Sequence, residues 1–213
     1  MMQDIKLIIF DLDGTLVDAY AAIISSFNYT LQKLGYAAQS AAVIRRAVGW
    51  GDTNLLRPFI SKKDLPKAMS LYRRHHRYSL VKQSRLFPKV KGLLAYLKSK
   101  GYRMAVASNR PTQFSRILLD CLGLDKYFSY LLCADKLKRG KPHPEILKRI
   151  IDKFALAAGQ AIYVGDMVID AQAGRRAGIR TIVVTTGSSA RKEIKKEKPG
   201  RIIKSIGELR KIL

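Results

Sequence analysis

The chain has 213 residues, of which 47% are hydrophobic and 26% charged, a balance that excludes the disordered, collagen-like and low-complexity classes. Its longest apolar run, 19–24, is far shorter than the roughly 20 residues a membrane-spanning helix needs, so no membrane partner is expected. The two cysteines, Cys121 and Cys133, make no secreted disulfide framework and suit a reducing, cytoplasmic compartment, and a net charge of +24 marks the chain as strongly basic.

Residues 5–10 read as a short buried strand ending at acids, and the same acids deny the amino-terminal stretch the shape of a signal peptide. Residues 18–34 are an amphipathic helix, with Ile23, Phe27, Leu31 and Leu34 at helical spacing and Gly35 as the stop. Residues 39–47, 53–60 and 64–82 are also helix-like, punctuated by Gly49, Gly51 and Pro66. The span 17–85 shows no strand signal and is expected to be an all-helical insertion. Residues 62–103 hold 13 basic residues against one acid, among them Lys62, Lys63, Lys67, Arg73, Arg74, Arg77, Lys82 and Arg85. Such a run fits nucleic-acid binding, steering of anionic substrates, or a plain solvated face. It comes without a zinc-finger, RNP or KH signature.

From Pro88 onward strands and helices alternate. A helix at 90–99 stops at Gly101, a strand covers 103–107, and a helix starts near Pro111. A strand at 130–133 precedes a helix after Pro144; a strand at 161–164 precedes a helix at 168–177; the last clear strand is 180–184. This order predicts an α/β fold, a parallel Rossmann-like sheet covered on both faces. Residues 188–200 are polar and read as a mobile loop or irregular helix.

In such a sheet, ligands bind outside the carboxyl ends of the strands. The first strand ends in Asp11-Leu12-Asp13-Gly14-Thr15, the next in Ser108-Asn109, and a later one in Gly165-Asp166, with Asp170 four residues on; Lys141 lies in a loop just ahead of a helix. Taken singly, each has a plainer role: an Asp-Gly turn, a helix cap at Ser108 or Asp166, surface charge at Lys141, an exposed face for Asp170. Together they gather four carboxylates at one edge, which is costly without a cation, and hard oxygen donors suit Mg²⁺.

The set DLDGTLVD (11–18), ASN (107–109), GKPHPE (140–145) and GDMVID (165–170) resembles the four motifs of the haloacid dehalogenase-like hydrolases, in order and across the whole chain. Within that superfamily it resembles most the phosphoglycolate phosphatases, whose cap loop is similar to residues 48–52 and whose re-entry into the core is similar to 86–90. The resemblance implies a catalytic core at 1–16 and 86–213 with a helical cap at 17–85. It implies Asp11 as nucleophile, Asp13 as acid and base, and Mg²⁺ held by Asp11, the Asp13 carbonyl and Asp166, with Asp170 orienting that set. Ser108, Asn109 and Lys141 would bind the phosphoryl group of a small anionic ester, and Gly49, Trp50 and Gly51 would meet its leaving group. Keeping an acid at Asp13 favours phosphoryl transfer over carbon–halogen cleavage. Phosphosugar mutases share both aspartates and stay open, as do nucleotide or nucleic-acid substrates, given the charge. The resemblance leaves monomer and homodimer equally open.

Overall fold

The computed structural model describes residues 4–213. Residues 1–3, part of the stretch read as lacking a signal-peptide shape, lie outside the described residues. The chain runs β1 (Leu7–Phe10), β2 (Val17–Asp18), then four helices, α1 (Tyr20–Lys33), α2 (Ala41–Ala47), α3 (Asp52–Leu56) and α4 (Leu65–Gln83). After β3 (Arg85–Leu86) come α5 (Val90–Ser99), β4 (Arg103–Ser108), α6 (Thr112–Cys121), β5 (Tyr130–Cys133), α7 (Glu145–Lys153) and β6 (Ala161–Gly165). The chain closes with α8 (Val168–Ala177), β7 (Arg180–Val184), α9 (Arg191–Lys196), β8 (Arg201–Ile203) and a 3₁₀ turn at Ile206–Lys211.

Six strands form one sheet in the order β5-β4-β1-β6-β7-β8, and every pairing in it is parallel. β1 is central and fully buried because it must face helices on both sides. Its side chains divide by alternation. Leu7 and Ile9 join Ala105, Tyr163, Ile146 and Ile150 on one face, whereas Ile8 and Phe10 join Met104, Val106, Ile162 and Val164 on the other. The sheet's order reverses at β1, so the ends of β4, β1 and β6 meet at a topological switch point, the usual place for a ligand crevice.

Three short strands, β2, β3 and β8, depart from the sequence reading. The insertion is not wholly helical: its two ends pair as an antiparallel ribbon, with Val17 opposite Leu86 and Asp18 opposite Arg85. Residues 188–200 hold α9, anchored by the buried Ile194. β8 then adds a sixth strand beyond the one expected to be last. Two- and three-residue strands carry too little pattern to register as a period. Among the described residues, no helix is long and apolar enough to cross a membrane.

Candidate active site

The strand ends deliver the acids. Asp11 follows β1, Ser108 ends β4, and Asp166 follows β6. One carboxylate oxygen each from Asp11, Asp166 and Asp170 lie within 4.8 Å of one another. All three residues are buried, and Lys141 is buried with them. The Lys141 ammonium sits 2.8 Å from Asp11 Oδ1 and 2.8 Å from Asp170 Oδ1. It also donates to the Tyr163 hydroxyl (3.0 Å) and the Ala107 carbonyl (3.2 Å). Lys141 is therefore no surface charge.

The plainer roles weighed for the other residues also give way. Asp170, not Asp166, caps α8: its Oδ2 accepts from the backbone N–H groups of Asp166 and Met167. Its Oδ1 accepts from Tyr163 (2.6 Å) as well as from Lys141, so both oxygens are fully engaged. Ser108 does not cap α6 but accepts from the Arg110 backbone N–H (3.1 Å). The Asn109 side chain is a tie. Its Nδ2 donates to the carbonyls of Gly49 in the insertion (2.8 Å) and Lys141 (2.9 Å), and its Oδ1 accepts from the Lys141 N–H.

Asp166 is the electrostatic outlier. Thr15 donates to its Oδ1 (2.9 Å), but its buried Oδ2 has no hydrogen-bond partner. A buried, unpaired carboxylate oxygen is expensive. Burial and then the charges of Asp170 and Asp11 push its carboxyl well above the usual range. Asp11 is pushed up to about 7 by burial, against the pull of Lys141. Asp11 and Asp170 raise the Lys141 ammonium despite its burial. An orphaned hard oxygen beside the Asp11 carboxylate suits the donor set of a divalent cation. Gly14 makes room for it: at φ +81° it takes a turn that favours glycine, and a Cβ there would lie 2.3 Å from Asp166 Oδ2.

Asp13 lies two residues from Asp11 and lines the same cavity, but its carboxylate turns to Arg110. Arg110 Nε and Nη2 donate to its two oxygens at 2.8 and 2.7 Å. Arg110 Nη1 donates to Nε2 of His76 on α4 (2.7 Å). This clamp links the insertion to the core and was not read from the sequence. In a chain with 40 Lys and Arg, one more arginine after Ser108-Asn109 carries no signal. His76 did carry one: it lies on the apolar stripe of α4 with Met69, Tyr72 and Leu80, all buried. Gly49 and Gly51 line the cavity under the helices, but Trp50 does not. Trp50 is 46% exposed and lines a neighbouring cleft with Gly51, Asn109 and Lys141. The cavity is small, about 50 Å³, which is space for a few waters at roughly 10–15 Å³ each.

The sequence profile of the haloacid dehalogenase-like hydrolases matches residues 8–184. The chain belongs to the haloacid dehalogenase-like hydrolases. Within that family it is 32% identical to a phosphoglycolate phosphatase of Vibrio parahaemolyticus, covering 99% of this chain and 97% of that one. It is 29% identical to the phosphoglycolate phosphatase of Nitrosococcus oceani, over 100% and 98% of the two chains. The crystal structure of a predicted phosphoglycolate phosphatase from Haemophilus somnus superimposes with a TM-score of 0.95 at 30% identity, covering 100% of this chain and 99% of that one. In this haloacid dehalogenase-like hydrolase, Asp11, Asp166, Asp170 and Lys141 lie together at the carboxyl edge of the sheet.

Proposed function

We propose that this protein is a Mg²⁺-dependent phosphatase for a small phosphate monoester, with 2-phosphoglycolate the preferred substrate. The observation that carries the reading is the buried Asp11–Asp166–Asp170 cluster, with Lys141 against it and one Asp166 oxygen unpaired. The named relatives support the choice of ester, and the small cavity favours a small leaving group. In this reading residues 1–16 and 86–213 form the catalytic core and 17–85 the cap.

The Asp11 and Asp166 carboxylates and the Asp13 carbonyl would hold Mg²⁺, whose charge offsets that of the phosphoryl group and of the acids around it. Lys141 and the Ser108 hydroxyl hold the phosphoryl oxygens, and the Asn109 N–H adds a donor. An Asp11 carboxylate oxygen attacks phosphorus, and the ester P–O bond breaks. The leaving alkoxide takes a proton from Asp13, and an aspartyl-phosphate remains on Asp11. Asp13 then takes a proton from water as that water attacks phosphorus. The bond to Asp11 breaks, and inorganic phosphate leaves. Asp170 holds Lys141 in register throughout, and the cap excludes bulk water.

A panel of phosphate esters assayed with and without EDTA tests this. The expected outcome is phosphate release, fastest from 2-phosphoglycolate, that EDTA abolishes and added Mg²⁺ restores. Turnover that survives EDTA, or none on any ester, would overturn it. Isomerised sugar phosphate without net phosphate release would point to a mutase.

A further inference from the structure

The cavity is lined by two cationic side chains, Lys141 and Arg110, among the described residues. Lys141 is committed to Asp11 and Asp170, beside the phosphoryl position. Arg110 is the other, and its guanidinium is fixed from behind. His76 accepts from Nη1, and burial, then the Arg110 charge, hold the imidazole well below its ordinary pKa. The neutral ring stacks on Tyr72 (4.8 Å between centroids, 24°) and meets Phe114 edge-on (5.2 Å, 75°). Its Nδ1 reaches Ser26 Oγ at 3.2 Å. Arg110 is thus anchored on the His76 side whatever happens on the other.

On the cavity side, its Nε and Nη2 form a fork that grips a carboxylate at 2.8 and 2.7 Å, namely that of Asp13. This is the planar bidentate geometry that arginine offers to carboxylates. Yet Asp13, in the function proposed above, must carry a proton to and from the ester oxygen, and a proton on either of the two oxygens that Arg110 holds weakens that charge-assisted pair. The fork must therefore be vacated during turnover. Much of the remaining wall is apolar, including Ile23, Val48, Leu55 and Phe114, and its other acids, Asp11 and Asp52, are paired with Lys141 and Arg73, so a vacated guanidinium would face the cavity without a bonded counter-ion.

We propose that Arg110 is the specificity-determining residue for the leaving group, receiving a carboxylate of the substrate in the fork that Asp13 fills here. The substrate class that fits is an ester whose carboxylate is bonded to the carbon that carries the ester oxygen, as in 2-phosphoglycolate: the carboxylate then lies beside the oxygen that Asp13 serves. Asp13 holds the place of that carboxylate in the fork, and substrate exchange for it at Arg110 releases it to the leaving oxygen. The inference rests on the phosphatase reading above and adds the residue that selects the ester.

The test compares kcat/KM for 2-phosphoglycolate and for ethyl phosphate, which lacks the carboxylate, in wild type, Arg110→Gln and Arg110→Lys. Wild type is expected to prefer 2-phosphoglycolate. Because a hydrogen-bonded charge contributes about a ten- to hundredfold factor, Arg110→Gln is expected to cut that preference at least tenfold, chiefly through KM. Arg110→Lys keeps the charge without the fork and should lie between. It carries the same comparison should the glutamine variant not fold. Equal losses on both esters would make Arg110 a support for Asp13 alone and overturn the proposal, as would a wild type indifferent to the carboxylate. A wild type that hydrolyses other esters but not 2-phosphoglycolate would instead overturn the substrate assigned above, and this inference with it.

Discussion

Neutralising Asp11 and removing the charge of Lys141 are opposite perturbations of one ion cluster. Asp11→Asn removes a carboxyl that burial already disfavours in its charged form, and Lys141 keeps Asp170 as a partner at 2.8 Å. The variant is expected to fold with stability close to wild type and to lose turnover entirely. Lys141→Met leaves Asp11 and Asp170 buried without their cation, and breaking a buried pair in this way costs about 3–5 kcal/mol. Urea titration of both variants, beside a phosphate-release assay, checks the contrast; a Lys141→Met protein as stable as wild type would contradict it. At this scale the site was largely legible. Asp11, Ser108 and Asp166 announce themselves through their places at strand ends, and Lys141 and Asp170 through their motifs. The Arg110 clamp does not, because its meaning depends on a histidine 34 positions away. The direction of the Trp50 ring was not legible, because sequence gives a loop's neighbourhood but not which way one ring in it turns.

Among the elements, α4 does the most to join the two parts of the molecule. It packs on α1 and α6 and brings His76 to Arg110. His76 stays neutral in the folded protein, since burial and Arg110 lower its pKa well below 6.5, whereas in the unfolded chain it titrates near that value. The unfolded state therefore binds the extra proton. Stability from this group is present above about pH 6.5 and is lost as pH falls, by up to about 1.4 kcal/mol per pH unit. Asp11, raised to about 7, works in the opposite sense when no metal is bound, so the two contributions must be separated. Thermal denaturation of wild type and His76→Gln across pH 5–8 does this. The difference in stability between them should shrink as pH falls below about 6.5, and a constant difference would refute the assignment. The longer helices and strands were readable because each buries a periodic face. β2, β3, β8 and α9 were not: α9 has a single buried residue, Ile194, in a run of charges.

For the molecule as a whole, the +24 charge is a field as well as a set of contacts. A phosphate dianion approaching such a surface is accelerated, and the effect fades as the screening length falls to about 10 Å at 0.1 M salt. Raising NaCl from about 20 to about 200 mM is expected to lower kcat/KM for the ester several-fold while leaving kcat nearly unchanged. An unchanged kcat/KM would assign the basic run at 62–103 to the solvated face alone.

The ribbon of β2 and β3 has a consequence for how such a molecule is put together. Where the chain departs into its four helices and where it returns, the strands pair, and the Phe87 N–H reaches the Leu16 carbonyl at 3.1 Å. An excursion of nearly seventy residues thus begins and ends at neighbouring points. The parallel sheet has no need to know how long that detour is, because each doubling of a loop's length costs only about 0.6 kcal/mol. Exchanging the excursion for another would leave the strand-end acids in place and change the chamber above them, the hold of His76 on Arg110 included, so the same chemistry can be offered to a different ester without rebuilding the sheet.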